Sequence, residues 1–146
     1  MNSVLVDTNV WVDIVLKRPD FFEESMGSVM ACIEEGVRML VVGTSVKDVF
    51  YWAEKSAGAD AGYRALDLLF DIAEVAPVDA PVCKRALSLE RPDYEDGTVA
   101  ACAEVEQVDA IVSRDAAAFN EAAVPKFSPQ ELLAHLGYES VDLRSW

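Results

Sequence analysis

The sequence has few basic residues, few cysteines and no long apolar runs. It contains 12 lysines and arginines against 26 aspartates and glutamates, which gives a net charge of −14 at pH 7. A chain with this excess of acid repels polyanions, so a general, non-specific nucleic-acid binder is excluded. The three cysteines are widely spaced and odd in number, which indicates neither a disulfide framework nor a thiolate metal cluster. They are typical of the reducing cytoplasm, where we expect this chain to act.

Signals for secretion and membrane insertion are also missing. The N-terminus turns acidic at Asp7 and lacks the basic start and long apolar stretch of a signal peptide. No segment approaches the roughly 18 consecutive apolar residues that span a bilayer. We therefore expect no membrane among the partners of this protein.

The apolar content is sufficient for one core. Hydrophobic residues make up 52% of the 146 residues, and a globular domain of this length buries roughly 70% of its extended-chain surface. The prolines are scattered singly, and no repeat or linker is visible. The sequence therefore predicts one domain over residues 1–136, followed by a tail at 137–146 that packs on the domain or against a partner.

Short apolar runs alternate with amphipathic segments along the chain. The runs predict strands at residues 3–6, 39–42, 75–78, 110–112 and 124–127. Helical spacing predicts helices over residues 20–35, 60–74, 81–89 and 96–106, and three more after cap residues at 7–9, 44–45 and 128. Such alternation favours a parallel sheet covered on both faces. The predicted fold class is α/β, a three-layer sandwich around a short-stranded parallel sheet.

Two acids follow predicted strands. Asp7 comes directly after the first strand, and Asp115 comes after the fourth, with Ser113 and Arg114 between. In open parallel sheets, ligands bind beyond the carboxyl ends of the strands. Two carboxylates at one edge without a counter-charge raise each other's pKa and destabilise the fold, and a bound divalent cation is the natural compensation.

Two further acids are candidates, each with a purely structural alternative. Asp96 shares a helical face with Ala100, where burial of an unpaired carboxylate is unfavourable. The alternative is that Asp93 caps this helix and the neighbouring acids only favour its dipole. Asp48 interrupts the apolar face of the third predicted helix, or else lies on its exposed face beside Lys47. The sequence leaves both questions open.

The order of these motifs resembles the PIN-domain family, which includes VapC-like toxin ribonucleases. The chain reads Val-Asp-Thr-Asn-Val at residues 6–10, Tyr-Glu-Asp at 94–96 and Ile-Val-Ser-Arg-Asp at 111–115, followed by Phe119. A capping box, Ser-Pro-Gln-Glu at 128–131, opens the last helix. Order and spacing match over roughly residues 3–134, so the resemblance covers nearly the whole chain.

The resemblance implies a metal-dependent endoribonuclease that uses Mg²⁺ or Mn²⁺. Position by position, it assigns four catalytic acids: Asp7, Asp48, Asp96 and Asp115. The metal ligands among them would be Asp7, Asp96 and Asp115, while Asn9 and Ser113 would support the site by hydrogen bonds.

Two positions depart from the family's pattern. Asp48 stands where a glutamate is usual, and this shorter acid would reach a metal only through water. Ala118 stands where many relatives have another aspartate, which removes one possible ligand of a second metal. These departures keep open a second hypothesis, a PIN-fold binding module with impaired catalysis.

The resemblance also implies partners. They are an RNA substrate, a small antitoxin protein that binds toxin members of the family, and a second copy of the chain in a homodimer. Within the chain, Arg114 is the best single candidate for contact with an RNA phosphate, because it lies between Ser113 and Asp115.

Overall fold

The computed structural model describes residues 1–139, in which strands and helices alternate. The strands are β1 (Ser3–Val6), β2 (Arg38–Val42), β3 (Glu74–Ala76), β4 (Ala110–Val112) and β5 (Lys126–Phe127). The helices are α1 (Thr8–Val15), α2 (Phe22–Glu35), α3 (Val46–Ala57), α4 (Ala59–Ile72), α5 (Ala80–Ala86), α6 (Tyr94–Glu106) and α7 (Pro129–His135). A short 3-10 turn, Gly43–Ser45, precedes α3.

The strands form one parallel sheet in the order β3-β2-β1-β4-β5. β1 pairs with β2 on one side and with β4 on the other. The chain therefore winds outward from β1 to β3 and then returns to build the opposite half from β4 to β5. The direction of winding changes between β1 and β4, and a crevice for ligands opens beyond the carboxyl ends of the strands at such a point.

Alternate residues of the strands point to opposite faces of the sheet and build two cores. On one face, Val4 and Val6 pack with apolar residues of α1, α2, α3, α4 and α7. On the other face, Leu5 and Ile111 pack with residues of α5 and α6. Both faces of the sheet are thus covered by helices, and the predicted α/β three-layer sandwich is confirmed.

Small residues let α6 pack closely in the second core. The helix is buried continuously over residues 97–103. A Cβ atom at Gly97 would lie 2.6 Å from the carbonyl oxygen of Ala86, so only glycine allows this contact between α5 and α6. The contact fixes the first turn of α6, which carries Asp96.

Several element boundaries differ from the prediction, and for α6 the reason is capping. The helix predicted from Asp96 begins at Tyr94, since the Asp93 side chain accepts a hydrogen bond from the Asp96 N–H at 3.0 Å and caps the helix. The helix predicted over residues 81–89 spans Ala80–Ala86, and the strand predicted at 124–127 is shorter, Lys126–Phe127.

The capping box at the start of α7 is confirmed. The Ser128 hydroxyl accepts a hydrogen bond from the Glu131 N–H at 3.1 Å. In return, the Glu131 carboxylate accepts one from the Ser128 N–H at 3.0 Å.

The beginning of the predicted tail contacts the domain. The Tyr138 hydroxyl donates a hydrogen bond to Glu35 Oε1 at 2.9 Å. The rest of the tail, residues 140–146, lies outside the described residues. Among residues 1–139, no helix is both long enough and apolar enough to cross a membrane.

Candidate active site

Asp7 lies where β1 ends and α1 begins, at the centre of the crevice. Its backbone N–H donates to the Val112 carbonyl of β4 at 2.8 Å. Its side chain caps α1, with Oδ1 accepting a hydrogen bond from the Thr8 N–H at 2.8 Å. Aspartate is a common N-cap residue. Asp7, however, is only 8% exposed, and its Oδ2 accepts further hydrogen bonds.

A hydrogen-bond network around Ser113 joins the ends of β1 and β4. The Ser113 hydroxyl donates to Asp7 Oδ2 at 2.9 Å and accepts from the Asp115 N–H at 3.2 Å. The Asn9 amide donates to the same Asp7 oxygen at 3.4 Å and to the Ser113 hydroxyl at 3.3 Å. The side-chain oxygen of Asn9, Oδ1, accepts a hydrogen bond from the Arg114 backbone N–H at 3.3 Å. This network holds the Asp7 carboxylate in one orientation.

Three of the four predicted catalytic acids meet in one cleft of about 280 Å³. Its lining residues are Asp7, Thr8, Asn9, Val12, Arg18, Trp52, Glu95, Asp96 and Asp115. Asp96 comes from the first turn of α6, and Asp115 comes from the loop after β4, where its Oδ1 accepts a hydrogen bond from the Ala117 N–H at 2.9 Å. Segments far apart in sequence thus contribute to the same acidic site.

The environment of Asp7 disfavours its charged form. Burial raises its pKa, while the hydrogen bonds from Ser113 and Thr8 oppose that effect. The negative charges of Glu95 and Asp115 raise the Asp7 pKa further. The folded protein therefore holds this carboxylate among groups of the same charge.

Asp96 is perturbed in the same direction. Its pKa is raised to about 7, first by burial and then by the negative charges of Asp93, Asp7 and Asp115. A carboxyl group with this pKa exchanges its proton near neutral pH, and a cation that favours the charged form displaces the proton.

The structure places Asp48 differently from these three acids. Asp48 is not one of the cleft-lining residues in the described range 1–139. Its carboxylate accepts a hydrogen bond from Lys47 at 2.9 Å, and its side chain is 31% exposed. This arrangement matches the structural alternative for Asp48, and its catalytic role stays a prediction.

Arg114 is likewise not one of the described residues that line the cleft. Its guanidinium donates to the Asp13 carboxylate from Nε at 2.6 Å and from Nη2 at 3.2 Å. The same group lies 4.2 Å from the centre of the Phe21 ring. Arg114 thus pairs with a carboxylate of its own chain, and its contact with RNA stays a prediction.

Arg18, Trp52 and Glu95 also line the cleft, although none of the three was among the predicted site residues. The available signal was Asp13, an acid within an otherwise apolar stretch of α1. Asp13 is fully buried, and a buried carboxylate requires a basic partner. That requirement points to a nearby arginine without saying which one.

The donor set of the cleft suits a hard divalent cation. Carboxylate, amide and hydroxyl oxygens are the ligands that Mg²⁺ prefers, and the ion usually keeps several waters while binding one or two carboxylates. Among residues 1–139, no three acidic, histidine or cysteine side chains are close enough to hold an ion together. An ion in this arrangement would therefore bind one or two of the acids directly and the rest through water.

Comparisons with known proteins agree with this architecture. A chain of VapBC2 from Rickettsia felis, solved with a promoter DNA fragment, shares 15% identity over 86% of this chain and 98% of that one, with a TM-score of 0.68. FitAcB from Neisseria gonorrhoeae shares 20% identity over 86% and 97%, with a TM-score of 0.66. VapC20 of Mycobacterium tuberculosis, a toxin that cleaves the Sarcin-Ricin loop, shares 14% over 86% and 99%, with a TM-score of 0.68.

At these identities, the similarity to solved structures shows the fold alone. A comparison with curated proteins gives no match. The family model described as a PIN domain matches residues 3–117, which include β1, the first turn of α6 and the loop after β4. Because this match spans most of the sequence and every segment that lines the acidic cleft, the chain belongs to the PIN-domain family.

Proposed function

We propose that this protein is a metal-dependent endoribonuclease, the toxin of a toxin and antitoxin pair. The observation that carries the proposal is the convergence of Asp7, Asp96 and Asp115 in one cleft where the winding of the sheet changes direction. The structural neighbours that are toxins or toxin complexes support the same activity.

The acidic cluster is unfavourable for folding without a ligand. Burial and like charges raise the pKa of both Asp7 and Asp96, which means that the fold opposes their ionisation. A divalent cation removes this repulsion and requires the ionised forms. The arrangement is therefore better suited to binding a cation than to stabilising the empty protein.

The chain's own residues would position the reactants. Asp7, Asp96 and Asp115 would hold Mg²⁺ or Mn²⁺, and the hydrogen bonds from Ser113 and Asn9 keep the Asp7 carboxylate aligned. When bound, the ion would neutralise charge on the scissile phosphate and supply an activated water. The carboxylates would act as ligands and water-positioning groups, and none would form a bond to phosphorus.

The test is cleavage of labelled single-stranded and structured RNAs by the purified full chain with Mn²⁺, with Mg²⁺ and with EDTA. Loss of a group that only hydrogen-bonds to a metal ligand costs about 10-fold to 100-fold in activity. We therefore expect Asp7→Asn to lose at least ~100-fold, because Asp7 would be a ligand itself. The matched control is Asp67→Asn, an exposed aspartate of α4 that should leave cleavage unchanged. Undiminished cleavage by Asp7→Asn, or by wild type in EDTA, would contradict the proposal.

A catalytically impaired binding module is the second candidate. The observation that favours it is the position of Asp48, which pairs with Lys47 and is not among the cleft residues of the described chain. This candidate predicts that Mn²⁺ leaves the melting temperature unchanged, because any ligand that binds only the native state must raise it.

For the protein partner, we propose a small antitoxin with an apolar segment and a basic one. An apolar groove of about 200 Å³ runs between α1, α2 and α4, and Leu68 at its edge is 57% exposed. The net charge of −14 would attract a basic segment. Expression of wild type in bacteria should arrest growth, and co-expression of the antitoxin should restore it. Equal arrest by Asp7→Asn would exclude toxicity through the acidic site.

We further propose that the chain acts in the cytoplasm and forms a homodimer. The described cysteines are all free, with Cys32 and Cys102 buried and Cys83 exposed, as a reducing compartment would allow. Light scattering coupled to size-exclusion chromatography measures the oligomeric state, and a monomer at micromolar concentration would contradict the homodimer.

A further inference from the structure

Asp13 is a fully buried carboxylate that binds two arginines. It lies in α1 and is 0% exposed. Its Oδ1 accepts a hydrogen bond from Arg18 Nη1 at 3.2 Å, and Arg114 donates to both of its oxygens. Arg18 lies three residues after the end of α1, whereas Arg114 comes from the loop after β4. One carboxylate thus joins two guanidinium groups that are far apart in the sequence.

The three charged groups do not cancel. One carboxylate and two guanidinium groups leave a net charge of about +1 beside the cleft, and apart from Arg18 the charged residues that line the cleft are all acids. Arg114 uses Nε and Nη2 on Asp13 and lies against Phe21. It therefore serves mainly to neutralise and anchor Asp13.

Arg18 differs from Arg114 in its remaining hydrogen-bonding capacity. A guanidinium has five N–H donors, and within residues 1–139 the Arg18 side chain donates only one of them, to Asp13. Its side chain is 34% exposed and lines the cleft with the three acids. The Trp52 ring, whose centre lies 6.0 Å from the guanidinium carbon, limits its movement on another side.

The cleft needs such a cation if RNA is to enter it. The acids and the net charge of −14 repel a polyanion, and a bound metal would act only on the phosphate it contacts. Guanidinium groups recognise phosphate through paired hydrogen bonds and do not lose their charge at any physiological pH.

Resting on the proposed ribonuclease function, we propose that Arg18 binds an RNA phosphate adjacent to the one that is cleaved, and that Asp13 is the positioning residue that fixes Arg18 there. Arg18 would act on substrate affinity and not on the chemical step. Removal of Arg18 should therefore raise KM and leave kcat nearly unchanged.

The experiment uses the full chain and a fluorescein-labelled single-stranded RNA. The dissociation constant is measured by anisotropy in EDTA over a range of salt concentrations, and KM and kcat are measured with Mn²⁺. A hydrogen bond to a charged group corresponds to an affinity change of about 10-fold or more, so Arg18→Met should weaken binding and raise KM by ~10-fold. The salt dependence of binding should fall by about 0.7 in log–log slope, the value for one phosphate contact on a single strand.

Two variants serve as comparisons for Arg18→Met. Arg18→Lys keeps the charge and should retain the salt slope while losing part of the affinity. Arg38→Met removes another arginine that is paired with an acid, Glu74, but from the amino end of the sheet. It should change neither binding nor KM.

The role of Asp13 is tested by combining variants. Asp13→Asn should raise KM with little change in kcat, and it should add nothing further in the Arg18→Met background, because both act on the same contact. Additive effects would show that Asp13 is structural only. If Asp13→Asn does not fold, Arg18→Met alone decides the phosphate contact.

The outcomes separate this proposal from the proposed function. Equal affinity and KM in wild type and Arg18→Met would overturn the phosphate contact while leaving the ribonuclease activity standing. Absence of cleavage by wild type would overturn the activity, whereas the binding measurement in EDTA would still report on Arg18. Wild type that does not bind RNA under any condition would overturn the contact as well.

Discussion

The buried acid Asp13 and the three acids of the cleft, Asp7, Asp96 and Asp115, differ in how their charge is compensated. Asp13 is fully buried, and two guanidinium groups neutralise it. The negative charge of Asp115 raises the pKa of both Asp7 and Asp96, and none of the three acids forms a salt bridge in the described part of the chain. Aspartate side chains are therefore paired with positive charge at Asp13 and surrounded by negative charge in the cleft.

Asp13 stabilises the fold, whereas the three acids of the cleft serve the site at a cost to stability. A neutralised carboxylate such as Asp13 contributes to the packing of α1 against the loop after β4. Acids without a counter-charge destabilise the protein, and a bound cation reverses their effect. We expect substitution of Asp13 and substitution of the cleft acids to have opposite consequences for stability and activity.

The largest contrast should be in stability without metal. Asp13→Ala removes a fully buried carboxylate from two arginines that are about one third exposed. Removal of one partner of a fully buried pair lowers the free energy of unfolding by about 3–5 kcal/mol, and because water reaches these arginines we expect a loss near the lower end, about 3 kcal/mol. Asp96→Asn removes a repelled charge and should leave stability unchanged or raise it slightly. Urea unfolding in EDTA measures both. A greater loss of free energy of unfolding in Asp96→Asn than in Asp13→Ala would contradict the view that Asp13 stabilises the fold and Asp96 destabilises it.

The next largest effect should be stabilisation by metal. Mn²⁺ at 100 times its dissociation constant should add about 2.7 kcal/mol to the free energy of unfolding. Asp115→Asn should lose most of this gain, while Asp67→Asn should keep it, since Asp67 is an exposed residue of α4. Thermal melting across a Mn²⁺ titration is the measurement. A gain that persists in Asp115→Asn would place the ion elsewhere.

A smaller effect is expected for the group that aligns Asp7. Ser113→Ala removes the hydrogen bond to Asp7 Oδ2 and the acceptor of the Asp115 N–H. Loss of such a partner lowers metal affinity by about 10-fold to 100-fold. Calorimetric titration with Mn²⁺ measures it, and Ser56→Ala, an exposed serine of α3, is the control. Equal affinities in wild type and Ser113→Ala would show that this network does not serve the ion.

The smallest expected effect is a pH dependence of the metal-free protein. The folded-state pKa of Asp96 is about 7 against an ordinary value of 3.8, so between these values the folded chain binds more protons than the unfolded one. Asp96 therefore lowers stability as pH rises from about 4 to 7 and has no further effect above that range. Solvent reduces the size of this effect because Asp96 is only half-buried.

The measurement is the difference in free energy of unfolding between wild type and Asp96→Asn across this pH range, in EDTA. Wild type should lose stability relative to the variant as pH rises, because only wild type must ionise Asp96. A constant difference across the range would show that the Asp96 pKa is not raised in the folded protein.

Local patterns in the sequence were sufficient for the fold. The apolar run at Ser3–Val6, the cap at Asp7 and the capping box at Ser128 each depend on neighbours a few residues away. Parallel pairing then follows from the alternation of strands and helices. Because Asp7 and Asp115 follow strands that pair, their convergence at one edge could also be predicted, as could a place for Asp96 at the start of α6.

The partners of individual charges could not be predicted, because they depend on where distant elements meet. The contact of Arg114 with RNA stays a prediction, but the pairing of its guanidinium with Asp13, about a hundred positions earlier in the chain, was not predicted. The sequence left two environments open for Asp48, and only the structure shows its carboxylate in contact with Lys47. By itself, the sequence determined the α/β layers and the convergence of Asp7 and Asp115 at one edge of the sheet, since these follow from short-range periodicity and strand ends. Only the tertiary structure decided which acids are neutralised, because charge pairing depends on distances in space and not on spacing along the chain.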